Sequence, residues 1–502
     1  MGNLFDQNGG SSAPVVALNL IYMRSVVYGL ILGLIFPAIS HAQNYHAIEG
    51  SPFAGSLGVA NNPASILSTP YPWDITVFST QVKNSTNAVV LHNWSLLSTG
   101  DTIGYKWKTG NFKRFIAFDF NIHLLNARIA LDKKQAIAFG ANFRGYGAVR
   151  TGRGNYSDSL QDMNQFFAIN EGTVYNGSMT TSSWLELFAT YSRTLIDDEA
   201  MRLNAGITLK AMRGVSGAFA QLNDATVDRR VSGNETIYFM KAGSARYGYS
   251  SNYDRWKDDH STSQNLKDLF GNSRPGASID FGLEYWIKRQ AVINNAERTE
   301  AWHDYEWKIG VALLDIGQNV YRYGSQSRAA SQPRSDVSDV DLNRKFDSTG
   351  SLANFNDSLA TIVGNITQLG GNFKIWNPTR LVINVDRPIQ NNFSVNANLS
   401  LNMPWKSDAK RLVVKDLSLL TLTPRWETKK LGLYMPINIT TDGKFWIGGA
   451  AKAGPLLLGF HNLATIVSKN RMANGGLYLA LVIRPGSGFG DKEDKKNSCP
   501  PY

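Results

Sequence analysis

The residues able to do chemistry are few and poorly spaced for it. His46, His92, His123, His260, His303 and His461 all follow residue 42, and no two stand at the i, i+4 spacing by which a helix presents a zinc pair. A Ser-His-Asp set needs only proximity in space, so spacing leaves one open, but no Gly-x-Ser-x-Gly elbow is present. Asp336, Asp339 and Asp341 cluster in an outer segment. They do not fit the 12-residue calcium loop, and a solvated acidic turn is the plainer reading. His123 reads as a hydrogen-bonded polar residue. The motifs thus point to no enzyme, no cofactor and no metal. What remains is a set of charges of both signs: Asp119, Arg144, Lys210, Asp280, Glu284 and Lys308. Their meaning depends on the elements that carry them.

Those elements alternate with a period of two. Phe393, Val395, Ala397, Leu399, Leu401 and Met403 are interleaved with Ser394, Asn396, Asn398, Ser400 and Asn402. A strand sends successive side chains to opposite faces, so one face is apolar and the other hydrophilic. Phe118, Phe120, Ile122 and Leu124 alternate with Asp119, Asn121 and His123, and a turn at Asp132-Lys133-Lys134 leads to Ile137, Phe139, Ala141 and Phe143. The same beat recurs at 185–191, 203–210, 279–288 and 307–313, and is nearly continuous from 379 to 484. First strands are expected near 73–83 and 87–97, and Asp442-Gly443 marks a tight hairpin.

Short turns alternate with long polar gaps at 151–181, 222–277 and 327–377. Outer-membrane barrels combine short periplasmic turns with long outer loops. The fold expected is therefore all-β: a transmembrane antiparallel β-barrel of about 14 strands, with long outer loops. Leu352, Phe355, Leu359, Ile362, Val363 and Ile366 carry helical spacing, which adds a short loop helix. The six charges then fall on polar, lumen-directed faces. They are either ion pairs that pack the interior and keep the barrel round, or a lining that selects what passes. Trp73, Trp184, Trp286, Trp405, Trp426, Trp446 and Tyr478 are expected collectively as interfacial girdles, although Trp286 also fits an inward position.

Residues 1–42 are expected to be removed. Arg24 precedes the only long apolar run, residues 25–39, and Ser40-His41-Ala42 follows. These are the parts of a signal peptide cleaved between Ala42 and Gln43, and the run is short for a membrane helix. Met23 lies directly before Arg24, which suggests a start there with 1–22 upstream of it; a long leading region is the other reading. The barrel then occupies 43–490 and a polar tail 491–502. Cys499, the single cysteine, cannot close an internal disulfide. A chain only 43% hydrophobic is too polar for a helical membrane protein, whereas a barrel hides its signal because half of each strand faces a wet lumen. The net charge of +11 suits contact with anionic membrane lipid, and no nucleic-acid-binding motif accompanies it.

The block Thr423-Pro424-Arg425-Trp426-Glu427-Thr428 leads into Leu431-Gly432-Leu433-Tyr434-Met435-Pro436. Gly454-Pro455-Leu456-Leu457-Leu458-Gly459, Gly476-Leu477-Tyr478-Leu479 and Val311-Ala312-Leu313-Leu314-Asp315-Ile316-Gly317 accompany it. Together they resemble a family of uncharacterised outer-membrane barrels. That group looks distantly like long-chain fatty-acid transporter barrels and the related barrel subunit of a secretion system, and Asn62-Pro63-Ala64 is similar to the early signature of the wider group. The resemblance implies a porin- or transporter-like barrel for a hydrophobic or small amphipathic ligand. The rival is a structural or assembly subunit that meets an envelope partner through its long loops. Transporter barrels of that kind carry an N-terminal plug, and the stretch from Gln43 to about Tyr71 reads as short for one. A large secreted β-sandwich would also alternate, but with shorter strands.

Overall fold

The computed structural model describes residues 47–485 apart from 94, 96–103, 258, 272, 290–304, 348, 391, 404–410, 442 and 468–472. The Ala42–Gln43 cleavage site, Trp405 and Cys499 lie outside the described residues.

Fourteen wall strands follow one another round a single closed antiparallel sheet. They are β1 (Trp73–Thr86), β2 (Gly110–Ala130), β3 (Gln135–Tyr156), β4 (Tyr175–Asp197) and β5 (Met201–Ser232). Then come β6 (Glu235–Tyr249, resumed at Arg274–Lys288), β7 (Tyr305–Arg322, resumed at Arg328–Pro333) and β8 (Val363–Gln368, Asn372–Trp376 and Arg380–Gln390). The last six are β9 (Phe393–Asn402), β10 (Leu419–Glu427), β11 (Leu431–Tyr434 and Ile437–Thr440), β12 (Phe445–Ile447 and Gly449–Ala453), β13 (Leu456–Phe460) and β14 (Asn474–Ile483). β1 pairs with β2 on one side and with β14 on the other, which closes the ring.

Burial follows the alternation with the usual order reversed. Ser394, Asn396, Asn398 and Ser400 are buried, whereas Phe393 is exposed. Leu187, Leu209, Phe281, Leu433 and Phe445 all point outward, Leu187 at 60% exposure. An apolar outer face around a polar interior is what a lipid-facing barrel requires. Among the described residues no helix is long and apolar enough to cross a membrane; that says nothing against crossing by strands.

The hairpins at one end are tight. Asp132 Oδ1 accepts from Lys134 N at 2.6 Å, and Asp198 Oδ1 accepts from Ala200 N and Met201 N. At the other, extended end the strands run on past the wall. The gaps at 151–181, 222–277 and 327–377 are largely ordered: β5 continues to Ser232 and forms a hairpin with β6. Sequence alternation fades there because neither face of such an extension meets a uniform medium. Helices α1 (Met163–Ala168), α2 (Thr262–Gly271), α3 (Asp339–Phe346) and α4 (Leu352–Ile362) sit at this end. α4 is the helix expected from the apolar stripe. Its Leu359 and Ile362 pack with Phe167, Val337 and Leu342. The strand expected near 87–97 is instead Val89–His92, paired with Gly104–Trp107 in a small hairpin off the wall.

The aromatic girdle is corrected. Among its described members Trp73 is exposed, Trp426 is half-buried, and Trp184, Trp286, Trp446 and Tyr478 are buried. They fall on the polar phase of their strands, where indole N–H groups find carboxylates: Trp184 Nε1 donates to Glu186 and Trp286 Nε1 to Glu284.

Candidate functional site: a stoppered lumen beneath an apolar chamber

The chain entering β1 lies inside the barrel. Residues 47–72 carry two short 3-10 turns, Gly55–Ala60 and Pro63–Leu67. Asn62 caps the second turn by accepting from Ala64 N, and its Nδ2 donates to Leu283 O on β6. Strand side chains bind the segment's carbonyls from several directions. Lys308 Nζ donates to Gly50 O at 2.6 Å, Arg128 Nε to Ile66 O at 2.6 Å, Ser192 Oγ to Pro63 O at 2.7 Å and Arg484 Nη2 to Phe53 O at 2.7 Å. These bonds satisfy backbone acceptors that would otherwise be buried without partners. The stretch that looked too short for a plug is thus long enough to thread the lumen, because short turns, and not extended chain, fill the width.

Glycines make room for it. A Cβ on Gly206 would stand 2.6 Å from both Ala64 N and Pro63 C, and one on the cross-strand Gly282 would stand 2.8 Å from Pro63 Cδ. Gly206→Val is expected to destabilise the docked segment by about 1–3 kcal/mol, as overpacking against backbone does. Limited proteolysis before β1 checks this; an unaltered cleavage rate would show that the contact carries no weight.

The six predicted charges are all buried, and they divide into groups. Arg144 Nη1 and Nη2 clamp Asp315 at 2.6 and 2.8 Å. Lys210 Nζ lies 2.7 Å from both Asp315 and Asp280. Asp280 Oδ1 accepts from Asp315 N, and Glu186 stands 3.3 Å from Arg144. Asp119 lies 3.6 Å from Lys83, whose Nζ donates to Asp416 at 2.6 Å. Glu284 and Lys308 do not join these clusters; they hold the N-terminal segment, Glu284 accepting from Ser68 Oγ. A third cluster was not anticipated: Arg425 clamps Asp386 at 2.7 and 2.9 Å and reaches Glu427 at 2.8 Å, which in turn accepts from Ser51 Oγ.

Asp315 is the informative omission. It sits in the left-handed region at φ 60°, where the β6–β7 register shifts. The bulge puts both Leu314 and Asp315 on the buried side, against the alternation from which lumen residues were read. Its only sequence signal was a lone carboxylate inside an apolar run.

At the extended end lies a chamber of about 610 Å³ lined almost wholly by apolar groups, among them Trp107, Phe115, Phe166, Phe167, Tyr175 and Phe355. Helices α1, α3 and α4 contribute to its lining: the rings of Phe166 and Tyr175 lie 5.6 Å apart and those of Phe355 and Phe346 5.4 Å apart, both pairs tilted. The acidic run beside it is a helix start. Ser338 Oγ accepts from Asp341 N, and Asp341 accepts from Ser338 N, a capping box. The Ser338 hydroxyl, together with its amide, holds the Asp341 carboxyl below the usual range. Among the described residues no group of His, Cys, Asp and Glu is arranged to hold a metal.

A closed fourteen-strand sheet with an apolar exterior and a filled polar lumen defines a membrane-type β-barrel. The chain belongs to the family of unknown function DUF5723, whose model matches residues 63–461. Comparison with curated proteins finds no match. Among solved structures the chain is similar to the Ralstonia pickettii toluene transporter TbuX (11% identity, TM-score 0.34, covering 86% of this chain and 94% of that one). It is similar to the P. putida toluene transporter TodX (10%, 0.37, 86% and 94%) and to a Pseudomonas aeruginosa FadL homologue (9%, 0.25, 88% and 97%). The fold assignment rests on the closed sheet of this chain.

Proposed function

We propose that this protein is an outer-membrane transport barrel that takes up a hydrophobic or small amphipathic ligand at its extended end. The observation that carries the reading is the 610 Å³ apolar chamber. Its volume falls within the range of small-molecule sites, about 300–1,000 Å³, and an aromatic hollow of that size suits an apolar occupant. The exposed apolar belt supports a wall set in lipid, and a leader cleaved at Ala42–Gln43 would deliver the chain there. The reading is transport without chemistry.

The test is binding of a monoaromatic hydrocarbon and of a medium-chain fatty acid to the detergent-solubilised barrel, followed by tryptophan fluorescence. Saturable binding is expected. Phe355→Asp, at a half-buried lining position, is expected to weaken it about tenfold or more, equivalent to about 1.4 kcal/mol. Absence of saturable binding for both probes would overturn the reading. The filled lumen favours a second reading, a structural subunit that presents the extended end to an envelope partner. A stoichiometric partner in native extracts, with no bound apolar molecule, would select it.

A further inference from the structure

Residues 411–418, between β9 and β10, turn inward instead of outward. Leu412–Val413 pairs in parallel with Ile375 and Trp376 of β8. Leu412 and Val414 are buried against Tyr146, Trp184 and Phe373. Asp416 exchanges hydrogen bonds with Asn402 of β9 and is gripped on its two carboxylate oxygens by Lys83 Nζ at 2.6 Å and Arg380 Nη1 at 2.5 Å. Lys83 belongs to β1 and Arg380 to β8, seven places apart in a ring of fourteen. Strands that far apart face each other across the barrel, so the Lys83–Asp416–Arg380 bridge spans the lumen.

The level of this bridge can be read along three strands. On β3 the N-terminal segment packs at Ala136 and Ala138, the inward strap at Tyr146, and the apolar chamber begins at Val149. On β4 the same order runs Phe188, Trp184, Tyr175, and on β5 Gly206, Met212, Leu222. Along each strand the strap therefore lies at a level between the N-terminal segment and the chamber. Arg380 joins the two: its Nη1 holds Asp416 while its Nη2 donates to Ala60 O at 3.1 Å.

We propose that residues 411–418 and the N-terminal segment form one two-part stopper, coupled through Arg380, and that Asp416 is the pin holding its upper half across the lumen. The proposal rests on the transport reading, since anything crossing the lumen toward the N-terminal segment must displace the strap first. It can be tested without any ligand. Ionic conductance of the full chain in planar bilayers is expected to be near baseline. Asp416→Asn keeps the shape but removes the charge that answers Lys83 and Arg380. It is expected to raise time-averaged conductance about tenfold or more, because a buried ion left without its partner is strongly disfavoured. Lys83→Met, which removes one side of the grip, is expected to do the same. Heat-modifiable gel migration identifies folded protein in each case. Unchanged conductance in both folded variants would overturn the proposal, as would a large resting conductance in the parent. Raised conductance in variants of a barrel that binds neither apolar probe would support the stopper while removing the transport reading.

Discussion

Arg144→Met is expected to cost the barrel about 3–5 kcal/mol of unfolding free energy, the usual consequence of removing one partner from a buried ion pair. Arg144 clamps Asp315 with both terminal nitrogens and lies close to Glu186. Its loss leaves Lys210 as the remaining cation within 4 Å of Asp315 among the described ion pairs. The bulge that aims Asp315 inward then loses its main support. Asp315→Asn is expected to be milder, since the amide still accepts a hydrogen bond from Arg144 and the spared charge lightens the burial cost. Urea unfolding in lipid vesicles, followed by tryptophan emission, checks both. Equal stability of Arg144→Met and the parent would show that the cluster fills space without holding the wall together.

The second large effect is on the opposite face. Leu209→Arg is expected to destabilise by about 2–4 kcal/mol in vesicles, the range for a cation placed at mid-bilayer on a barrel's outer surface. Leu209 pairs with Ala189 on β4 and Ile279 on β6 and is strongly exposed. In a soluble β-protein such a substitution would be close to neutral. Vesicle unfolding of Leu209→Arg beside Val231→Arg, at an exposed position on the extension of β5, makes the distinction: a large loss for the first and little for the second is expected. Equal, small effects would contradict a lipid-facing wall.

The wall was legible in the sequence because period-two alternation survives wherever one face meets lipid and the other a polar interior. Asp119, Arg144, Lys210, Asp280, Glu284 and Lys308 were found by that phase alone. What the phase could not supply was partnership. Asp119 lies beside Lys83 of the neighbouring strand, but the group that finishes the cluster, Asp416, comes from a connection. Asp315 was missed because a left-handed residue shifts the register, and the residues after it on β7 then change face. The aromatic residues near strand ends were read collectively as girdles, which missed that Trp184 turns inward to a carboxylate, whereas the inward alternative for Trp286 is the one the structure takes. The family match narrows the fold and brings no chemistry with it, so the proposed function rests on the chamber.

The way the N-terminal segment is held also bears on how the molecule is made. Ser51 meets Glu427 across 376 residues of chain, and Phe53 O meets Arg484 across 431. Contacts so distant in sequence reward the chain only after long loops have closed. The segment leads directly into β1, which forms the seam with β14. The residues that precede β1 are therefore expected to be among the last to find their places, with the filling of the barrel tied to the closing of its seam.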